Sequence, residues 1–403
     1  MTGNREARPL WPIAAAIFAL MLPVTAVVPA LEGLTGGRHP ELSDFAKHLF
    51  MVANMLAALI IAPLAGRLSD HTGWRKRVIV AAMLANALVL FALAQPAPYA
   101  LHLALRFLDG ALHITALTLL MAMAMDRAVW AGTGRAMGTA GAALTLGVAT
   151  GAPVGGLIAE TGAVNVLLAG AGLSLVIAAW TASLGETAPV ASRRPASGGW
   201  RELPWRRLAA PYVFTFADRL SVGFIISTVT LYLGTVLGAE PARIGMLMGA
   251  FMLPFSLLTY VCGRLARRVE PLWMMMAGSV IYGLVLVALG LAPLPLWWVL
   301  MPMGGVAAAA MFAPSLVLTA RAAEADQRGT AMGGFHAAGS LGFLLGPLLG
   351  GGILALAGVF DRPGWLAAFI TIAALQWLCV AIFLPAARRR PGLFLSAEPD
   401  PGR

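Results

Sequence analysis

The chain has 403 residues, of which 59% are hydrophobic and 11% are charged. A soluble globular domain carries about 25% charged residues, so this composition excludes a protein that folds in water alone. The formal net charge of +10 would indicate nucleic-acid binding in a soluble protein, but basic residues also accumulate on one side of membrane proteins.

Twelve long apolar runs with few charges follow one another along the chain. A helix needs about 20 apolar residues to cross a bilayer, and each run approaches or exceeds that length before Gly, Pro or charge interrupts it. The runs predict an all-α integral membrane protein with twelve transmembrane helices in two six-helix bundles. Predicted spans 1 to 6 cover 11–32, 45–65, 78–95, 99–125, 136–159 and 164–184, and spans 7 to 12 cover 209–237, 243–262, 271–291, 295–320, 329–357 and 363–385.

The basic residues lie mainly on one side of this layout. Of the 28 Lys and Arg residues, 22 fall in segments on the side of both termini, four lie in or beside the opposite loops, and Arg106 and Arg219 lie inside spans. The positive-inside rule places both termini in the cytoplasm and the protein in the cell membrane. One missed helix would exchange the sides of all later loops, so the charge pattern supports twelve spans, and we expect no nucleic-acid partner.

The longest polar segment, Gly185 to Leu208, is rich in Pro, Gly, Ser and Arg, which is typical of a solvated linker. It divides the chain into two halves. We expect an N-terminal six-helix bundle over 1–184, a cytoplasmic linker over 185–208, a C-terminal six-helix bundle over 209–390 and a cytoplasmic tail over 391–403.

Two pairs of segments repeat at nearly the same offset. Residues 66–77 (GRLSDHTGWRKR) have a shorter counterpart at 263–268 (GRLARR), an offset of 197. Residues 151–156 (GAPVGG) have a counterpart at 346–351 (GPLLGG), an offset of 195. The two pairs predict a duplicated six-helix unit.

The loop after span 2 combines glycines with charge. Gly66 and Gly73 permit a tight turn, and Asp70 can form charge-assisted hydrogen bonds with a basic cluster. Together with Leu68, this pattern resembles, position by position, the signature of the major facilitator superfamily, and the likeness extends over the whole chain. The resemblance implies two six-helix bundles with a substrate cavity between them. The basic cluster is Arg75, Lys76 and Arg77.

The same resemblance implies a conformational latch. Asp70 is similar to the acid that contacts the start of helix 11, near Gly329, where a helix N-terminus favours negative charge. Asp126 is similar to the acid that pairs with the loop arginine, here Arg75. The latch would hold the outward-facing state; the alternative is that these charges only fix the topology. The latch residues are Gly66, Asp70, Gly73, Arg75, Lys76, Arg77 and Asp126.

Span 4 carries an intramembrane charge pair. Arg106 and Asp109 share a helix face at a three-residue spacing, and a charge within the membrane persists only when it is paired or faces water. Arg106 and Gly110 resemble the family's helix 4 motif, in which Gln usually stands where this chain has Asp109. Protonation of Asp109 would free Arg106, and His113 can extend a proton path. A permanent ion pair and a hydrogen-bonded core histidine are the alternatives.

Span 7 contains two adjacent charges, Asp218 and Arg219. Adjacent helical residues point about 100° apart, so the two cannot both face one partner, and we expect Asp218 to face the cavity. His336 in span 11 is a further candidate. The proton-coupling candidates are Arg106, Asp109, His113 and Asp218.

Span 5 contains a glycine-rich motif with a proline. It resembles the antiporter signature of the same family, although Pro153 stands one residue later than in the usual pattern. Glycines four residues apart permit close helix contact, and proline loosens the backbone. We expect a hinge and a seal here and at the counterpart in span 11; the alternative is packing that gives no transport direction. The residues are Gly147, Gly151, Pro153, Gly155 and Gly156, with Gly346, Pro347, Gly350 and Gly351 in span 11.

Several chemistries have no matching motif. The chain lacks a P-loop and the HExxH and GxSxG patterns, so we expect a gradient-driven transporter and not an enzyme. Cys262 and Cys379 lack metal or redox spacing, and we expect no metal and no cofactor. Span 1 lacks the acid that many drug exporters of the family carry, and Glu32 lies only at its outer end.

The resemblance favours the drug:proton antiporter branch, and thus a proton-coupled exporter of small, fairly apolar molecules. The alternative is a gradient-driven carrier, by uniport or symport, of a specific metabolite such as a sugar, an amino acid or a siderophore-like compound. The expected partners are a small-molecule substrate, protons and membrane lipid, and the family implies a monomer.

Overall fold

The computed structural model describes residues 9–72, 74–131, 133–184, 203–266, 268–322, 328–359 and 364–389, and every regular element within these ranges is a helix. The predicted tail over 391–403 and the predicted linker up to residue 202 lie outside the described residues. Trp205 to Leu208, the end of the predicted linker, already belong to a helix.

The helices follow the predicted spans closely. The first set is α1 (Trp11–Ala26), α2 (Leu31–Leu34), α3 (Asp44–Thr72), α4 (Arg75–Ala94), α5 (Tyr99–Ala131), α6 (Thr133–Ala159) and α7 (Ala163–Ser183). The second set is α8 (Trp205–Phe224), a π-helical turn (Ile225–Val229), α9 (Thr230–Thr235), α10 (Pro241–Leu265), α11 (Pro271–Leu291), a 3₁₀ turn (Leu294–Leu296), α12 (Trp297–Ala322), α13 (Arg328–Val359) and α14 (Gly364–Arg389).

These helices confirm the predicted all-α membrane fold. Eleven helical segments of the described chain are long and apolar enough to cross a membrane, and α1 is a shorter apolar helix of 16 residues. Their outward faces carry exposed leucines such as Leu88, Leu157, Leu257 and Leu356. Large exposed apolar surfaces of this kind are compatible with lipid rather than water as the surrounding solvent.

Two predicted boundaries differ from the structure. Span 1 is interrupted after α1 and resumes as the short helix α2. The predicted tight turn at Gly66 is wrong, because α3 continues as a helix through Gly66 and Asp70 to Thr72 and α4 begins at Arg75. An apolar run ends where the membrane ends, whereas a helix can continue into water.

The chain divides into two compact units. Unit 1 comprises Met1–Ser192 and Leu233–Gly249, and unit 2 comprises Arg193–Tyr232 and Ala250–Arg403. In unit 1, α1 packs on α6, α3 on α5, and α4 on both α5 and α7. In unit 2, α8 packs on α13, and α11 packs on both α12 and α14. The matching pairs support the predicted internal duplication.

Glycines allow the closest helix pairs to form. On α6, a Cβ at Gly147 or Gly155 would meet the backbone of α1, and on α13 a Cβ at Gly346 would meet the backbone of α8. A Cβ at Gly350 would meet the Thr228 side chain. Small residues spaced by four positions let helix backbones approach each other in this way.

The α8–α13 contact gives the first testable prediction. A Cβ at Gly346 would lie 2.5 Å from the backbone nitrogen of Phe224, whereas a Cβ at Gly352 on the same helix would have no neighbour within 4 Å. We expect Gly346→Ala to lower the free energy of unfolding by about 1–3 kcal/mol, the usual cost of overpacking. Gly352→Ala is the matched control and should unfold at or above the wild-type temperature, as measured by thermal unfolding in detergent. Equal melting temperatures for the two variants would contradict this packing.

Candidate functional site

The charge pair on α5 is buried inside unit 1. Arg106 is 2% exposed and Asp109 is 6% exposed. Arg106 Nη1 donates to Asp109 Oδ2 at 2.5 Å, so the pair that the sequence predicts is present. Asn54 Nδ2 on α3 donates to the same carboxylate oxygen at 3.1 Å, and the Arg106 guanidinium lies 5.1 Å from the centre of the Phe50 ring. The carboxylate therefore has one charged and one neutral donor.

Gly110 brings Asn54 within reach of Asp109. A Cβ at Gly110 would lie 2.9 Å from the Asn54 Cα, so any larger residue would push α3 away from α5. In the helix 4 motif, Arg106 therefore pairs with a carboxylate, whereas Gly110 allows α3 to approach α5 closely. The sequence alone did not assign a partner role to Asn54, although an amide in the apolar part of span 2 was a visible signal.

A small cavity with both polar and apolar walls adjoins this pair. It measures about 10 Å³, and its lining includes Arg106, Asp109, His113, Asn86 and Ser174. That volume is close to what one water molecule requires. Arg106 Nε and Nη2 and His113 Nε2 are buried and make no hydrogen bond within the described chain. The three predicted residues of α5 therefore line one cavity of about the size of a water molecule.

The charges on α8 pair with each other. Arg219 Nε lies 3.1 Å from Asp218 Oδ2, with side-chain exposures of 22% and 0%. The 100° between adjacent positions separates their Cβ atoms, but the long Arg219 side chain can reach back to its neighbour. Arg219, and not Asp218, keeps exposed surface, which corrects the expectation from the sequence.

Aromatic rings surround Arg219. Its guanidinium lies 4.3 Å from the centre of the Phe312 ring and 5.3 Å from that of Phe255. The Phe335 ring lies 5.8 Å from Phe312 and continues this wall, and its neighbour His336 is the remaining candidate from the sequence. Nothing in the sequence pattern assigned these phenylalanines to Arg219, since they come from three different helices.

A glutamine fixes α8 beside the charge pair. Gln376 Nε2 donates to the Ala217 carbonyl at 3.0 Å and to Ser221 Oγ at 2.8 Å, and Ser279 Oγ donates to Gln376 Oε1 at 2.7 Å. These bonds hold the two turns of α8 that carry Asp218 against α11 and α14. The π-helical turn begins just beyond them, at Ile225, and such turns are frequent at functional sites.

The latch remains a prediction. Gly73 and the side chains of Asp70 and Asp126 lie outside the described residues, and the surroundings of Gly66 are not described. Lys76 donates from Nζ to the Ala182 and Leu184 carbonyls at 3.2 and 3.1 Å, and so satisfies the C-terminal end of α7. The Arg77 guanidinium lies 5.7 Å from the Trp74 ring centre, and Arg75 is buried.

The antiporter-like motif contacts two helices. Gly147, Gly151 and Gly155 face α1, whereas a Cβ at Gly156 would lie 3.0 Å from the Ala242 Cα on α10. A Cβ at Gly249, also on α10, would lie 2.6 Å from Pro153 Cγ. In α13, Pro347 packs against Gly223 and Gly351 is buried. In the described ranges, no three His, Cys, Asp or Glu side chains converge as a metal site would require.

The buried α5 pair generates a second prediction. Arg106→Gln leaves Asp109 as a buried charge without its cation, which typically costs about 3–5 kcal/mol. We expect a large fall in the thermal unfolding temperature of the purified protein. Arg106→Gln combined with Asp109→Asn removes both charges and should recover most of that loss. A double variant that melts below the Arg106→Gln single variant would show that the pair itself is not what stabilises this site.

The sequence model of the Major Facilitator Superfamily matches residues 13–217 and 211–401. A point variant of the nucleoside transporter NupG has a similar structure, with a TM-score of 0.77 and 16% identity, over 93% of this chain and 98% of that one. A bacterial homologue of the human lysosomal transporter Spinster, in an inward-facing and occupied conformation, has a TM-score of 0.77 and 13% identity, over 96% and 98% of the two chains. No match is found among the curated protein sequences. The chain belongs to the major facilitator superfamily and is a multi-pass membrane transporter rather than an enzyme.

Proposed function

We propose that this transporter exports small, fairly apolar molecules across the cell membrane in exchange for protons. It would act as a monomer with both termini in the cytoplasm, by rocker-switch alternating access. The observation that carries this proposal is a buried carboxylate, Asp109, held inside the transmembrane part of unit 1 by Arg106 and Asn54.

Asp109 can couple protonation to structure because its bond to Arg106 depends on its charge. When it is ionised, it accepts hydrogen bonds from Arg106 and Asn54. When it is protonated, the attraction for Arg106 is lost, and Arg106 already has two nitrogens without a partner in the described chain. An uncompensated guanidinium within the membrane costs several kcal/mol by most estimates, so the protonated cluster favours a different arrangement of its neighbours.

His113 supplies a route for the proton. It lies four residues after Asp109, on the same helix face, and both side chains line the same cavity. Its Nε2 makes no hydrogen bond within the described chain, so it is available to a transferable proton. Asn86 and Ser174, which are hydrogen-bonded to each other at 3.4 Å, complete the polar lining.

The glycine and proline motif of α6 supports the conformational part of the proposal. Pro153 has no backbone N–H, so α6 bends there at a lower cost than elsewhere. The contact of Gly156 with Pro241 and Ala242 involves backbone against backbone. A seal of this kind can separate without extracting interlocked side chains. The latch over 66–77 remains part of this proposal.

The similar structures support the transporter fold and leave the substrate open. At 16% and 13% identity, the nucleoside transporter NupG and the Spinster homologue carry no substrate over to this chain. A carrier of a specific metabolite is therefore one outcome of the transport test below.

Proton antiport is tested in proteoliposomes with an imposed pH gradient and a panel of labelled amphipathic compounds. We expect gradient-driven uptake by the wild-type protein and a loss of at least about tenfold in Asp109→Asn, because the exchangeable proton site is removed. Asp44→Asn is the matched control, because Asp44 is a half-exposed acid at the start of α3 that pairs with Lys47 at 3.6 Å. Its uptake should equal that of the wild type.

Two results would contradict the proposal. Wild-type uptake that ignores the pH gradient would exclude proton antiport and favour a uniporter. Uptake that requires a proton gradient in the same direction as the substrate would indicate symport of a metabolite.

The α6–α10 seal is tested by cross-linking. In a background without Cys262 and Cys379, Gly156→Cys with Ala242→Cys places two thiols at a contact where a Cβ at Gly156 would be 3.0 Å from the Ala242 Cα. The sequence assigns α10 to the C-terminal bundle, so rocking would have to break this contact. We expect oxidation to abolish transport and a reductant to restore it.

The control cross-link joins two helices of the N-terminal bundle. Gly33→Cys with Ala163→Cys connects α2 to the start of α7, where a Cβ at Gly33 would lie 2.6 Å from Ala163 Cβ. Its oxidation should leave transport intact. Unchanged transport in the oxidised 156–242 pair would mean that this contact does not open during the cycle.

A further inference from the structure

Arg219 lies near the middle of its transmembrane segment. α8, the π-helical turn and α9 form one apolar span of 31 residues, Trp205–Thr235. Arg219 comes 14 residues after the start (219 − 205 = 14), which is about 21 Å along the helix axis. Its side chain nevertheless keeps 22% of its surface exposed. Because a charged side chain is costly in the hydrocarbon core, we expect this exposed part of the side chain to face water.

The guanidinium of Arg219 makes an ion-pair contact but no hydrogen bond within the described chain. Its Nε lies 3.1 Å from Asp218 Oδ2, yet that oxygen has no hydrogen-bond partner there, and neither Nη1 nor Nη2 donates a hydrogen bond. The N–H donors of the planar group are therefore open within the described chain. Nη1 and Nη2 form an edge that fits the two oxygens of a carboxylate.

The other intramembrane ion pair of the described chain has a different form. Arg106, the other intramembrane arginine, is 2% exposed and points its Nη1 at its own carboxylate. Arg219 instead pairs through the nitrogen nearest its aliphatic stem and leaves its terminal nitrogens open. Asp218 is completely buried and lies on the Nε side of the guanidinium.

The walls of the site are apolar and aromatic. Phe312 and Phe255 lie against the guanidinium, and their rings are 5.9 Å apart. The other ionisable groups in this region are His336, beside Phe335, and the fully buried Tyr282, whose ring lies 6.1 Å from Phe251. A ligand here would meet one cationic group and a hydrophobic surface.

We propose that Arg219 binds the carboxylate of an organic-acid substrate whose apolar body packs on Phe255 and Phe312, with Asp218 as the positioning residue. This inference rests on the proposed transport function and narrows its substrate class to amphipathic monocarboxylates. It also gives the two acids different places in the proposal, because Asp109 belongs to the proposed proton site whereas Asp218 lies against the guanidinium of Arg219.

The test uses equilibrium binding to the purified full-length protein at neutral pH, without any gradient. The three probes share one ring system and differ in charge: 2-naphthoate, 2-naphthamide and 2-naphthylmethylammonium. We expect the naphthoate to bind the wild type at least about tenfold more tightly than the amide, since a bidentate charge-assisted pair replaces a neutral contact. The ammonium probe should bind most weakly.

The variants then assign this preference to one residue. Arg219→Gln should lose the preference for naphthoate over naphthamide, and Arg219→Lys should keep only part of it, because a lysine cannot form the planar fork. Asp218→Asn with Arg219→Gln removes both charges and provides a folded test protein if Arg219→Gln alone is unstable. Arg264→Gln is the matched control, since Arg264 lies over the exposed Tyr260 ring on α10.

Other binding results would contradict a carboxylate site at Arg219. The proposal is overturned if the wild type binds no naphthoate or binds it no better than the amide. It is also overturned if the charge-free double variant keeps the preference. Because binding is measured without a proton gradient, wild-type uptake that ignores the pH gradient would contradict proton antiport and leave this binding result unaffected, so the two proposals fail independently.

Discussion

The need to neutralise charge inside a hydrocarbon solvent shapes both candidate sites. Arg106 and Asp109 are three residues apart, and Asp218 and Arg219 are adjacent. Each pair therefore forms within a single helix and does not depend on any contact between helices. Local pairing of this kind survives movement of the surrounding helices, so the chain can keep its charges compensated while the packing around them changes.

Glycine packing solves the complementary problem of bringing helices together in lipid, where burial of apolar surface provides little driving force. Gly110 on α5 meets the backbone of Asn54, and Gly305 on α12 meets the backbone of Phe251. Gly110 and Gly305 are 195 residues apart. The same offset separates the glycine motif of α6 from its counterpart in α13. The sterically required positions thus recur in both units.

The sequence predicted the helices well because membrane thickness imposes their length. It also predicted the Arg106–Asp109 pair, since both residues lie on one helix and the spacing determines the shared face. It failed where the answer depends on a second element. The Asn54 donor and the Phe312 wall require the rotation of neighbouring helices, which a single apolar span does not encode. The extension of α3 past Gly66 was missed because a helix in water needs no apolar run.

The two units carry their intramembrane charge pairs on helices that do not correspond to each other. Gly151 contacts Leu22 on α1, and its counterpart Gly346 contacts Leu220 on α8. Leu220 is therefore the counterpart of Leu22, which aligns α8 with α1 at an offset of 198 residues. At this offset, Asp218 corresponds to Leu20. Leu20 lines the cavity beside Arg106.

Equivalent regions of the two units therefore hold their charges on different helices, α5 in unit 1 and α8 in unit 2. The first charge pair is almost completely buried and the second keeps an exposed guanidinium. A buried carboxylate suits proton exchange, whereas an exposed cation between aromatic rings suits recognition of a ligand. The shared glycine framework allows this division because the packing of each unit does not depend on where its charges lie.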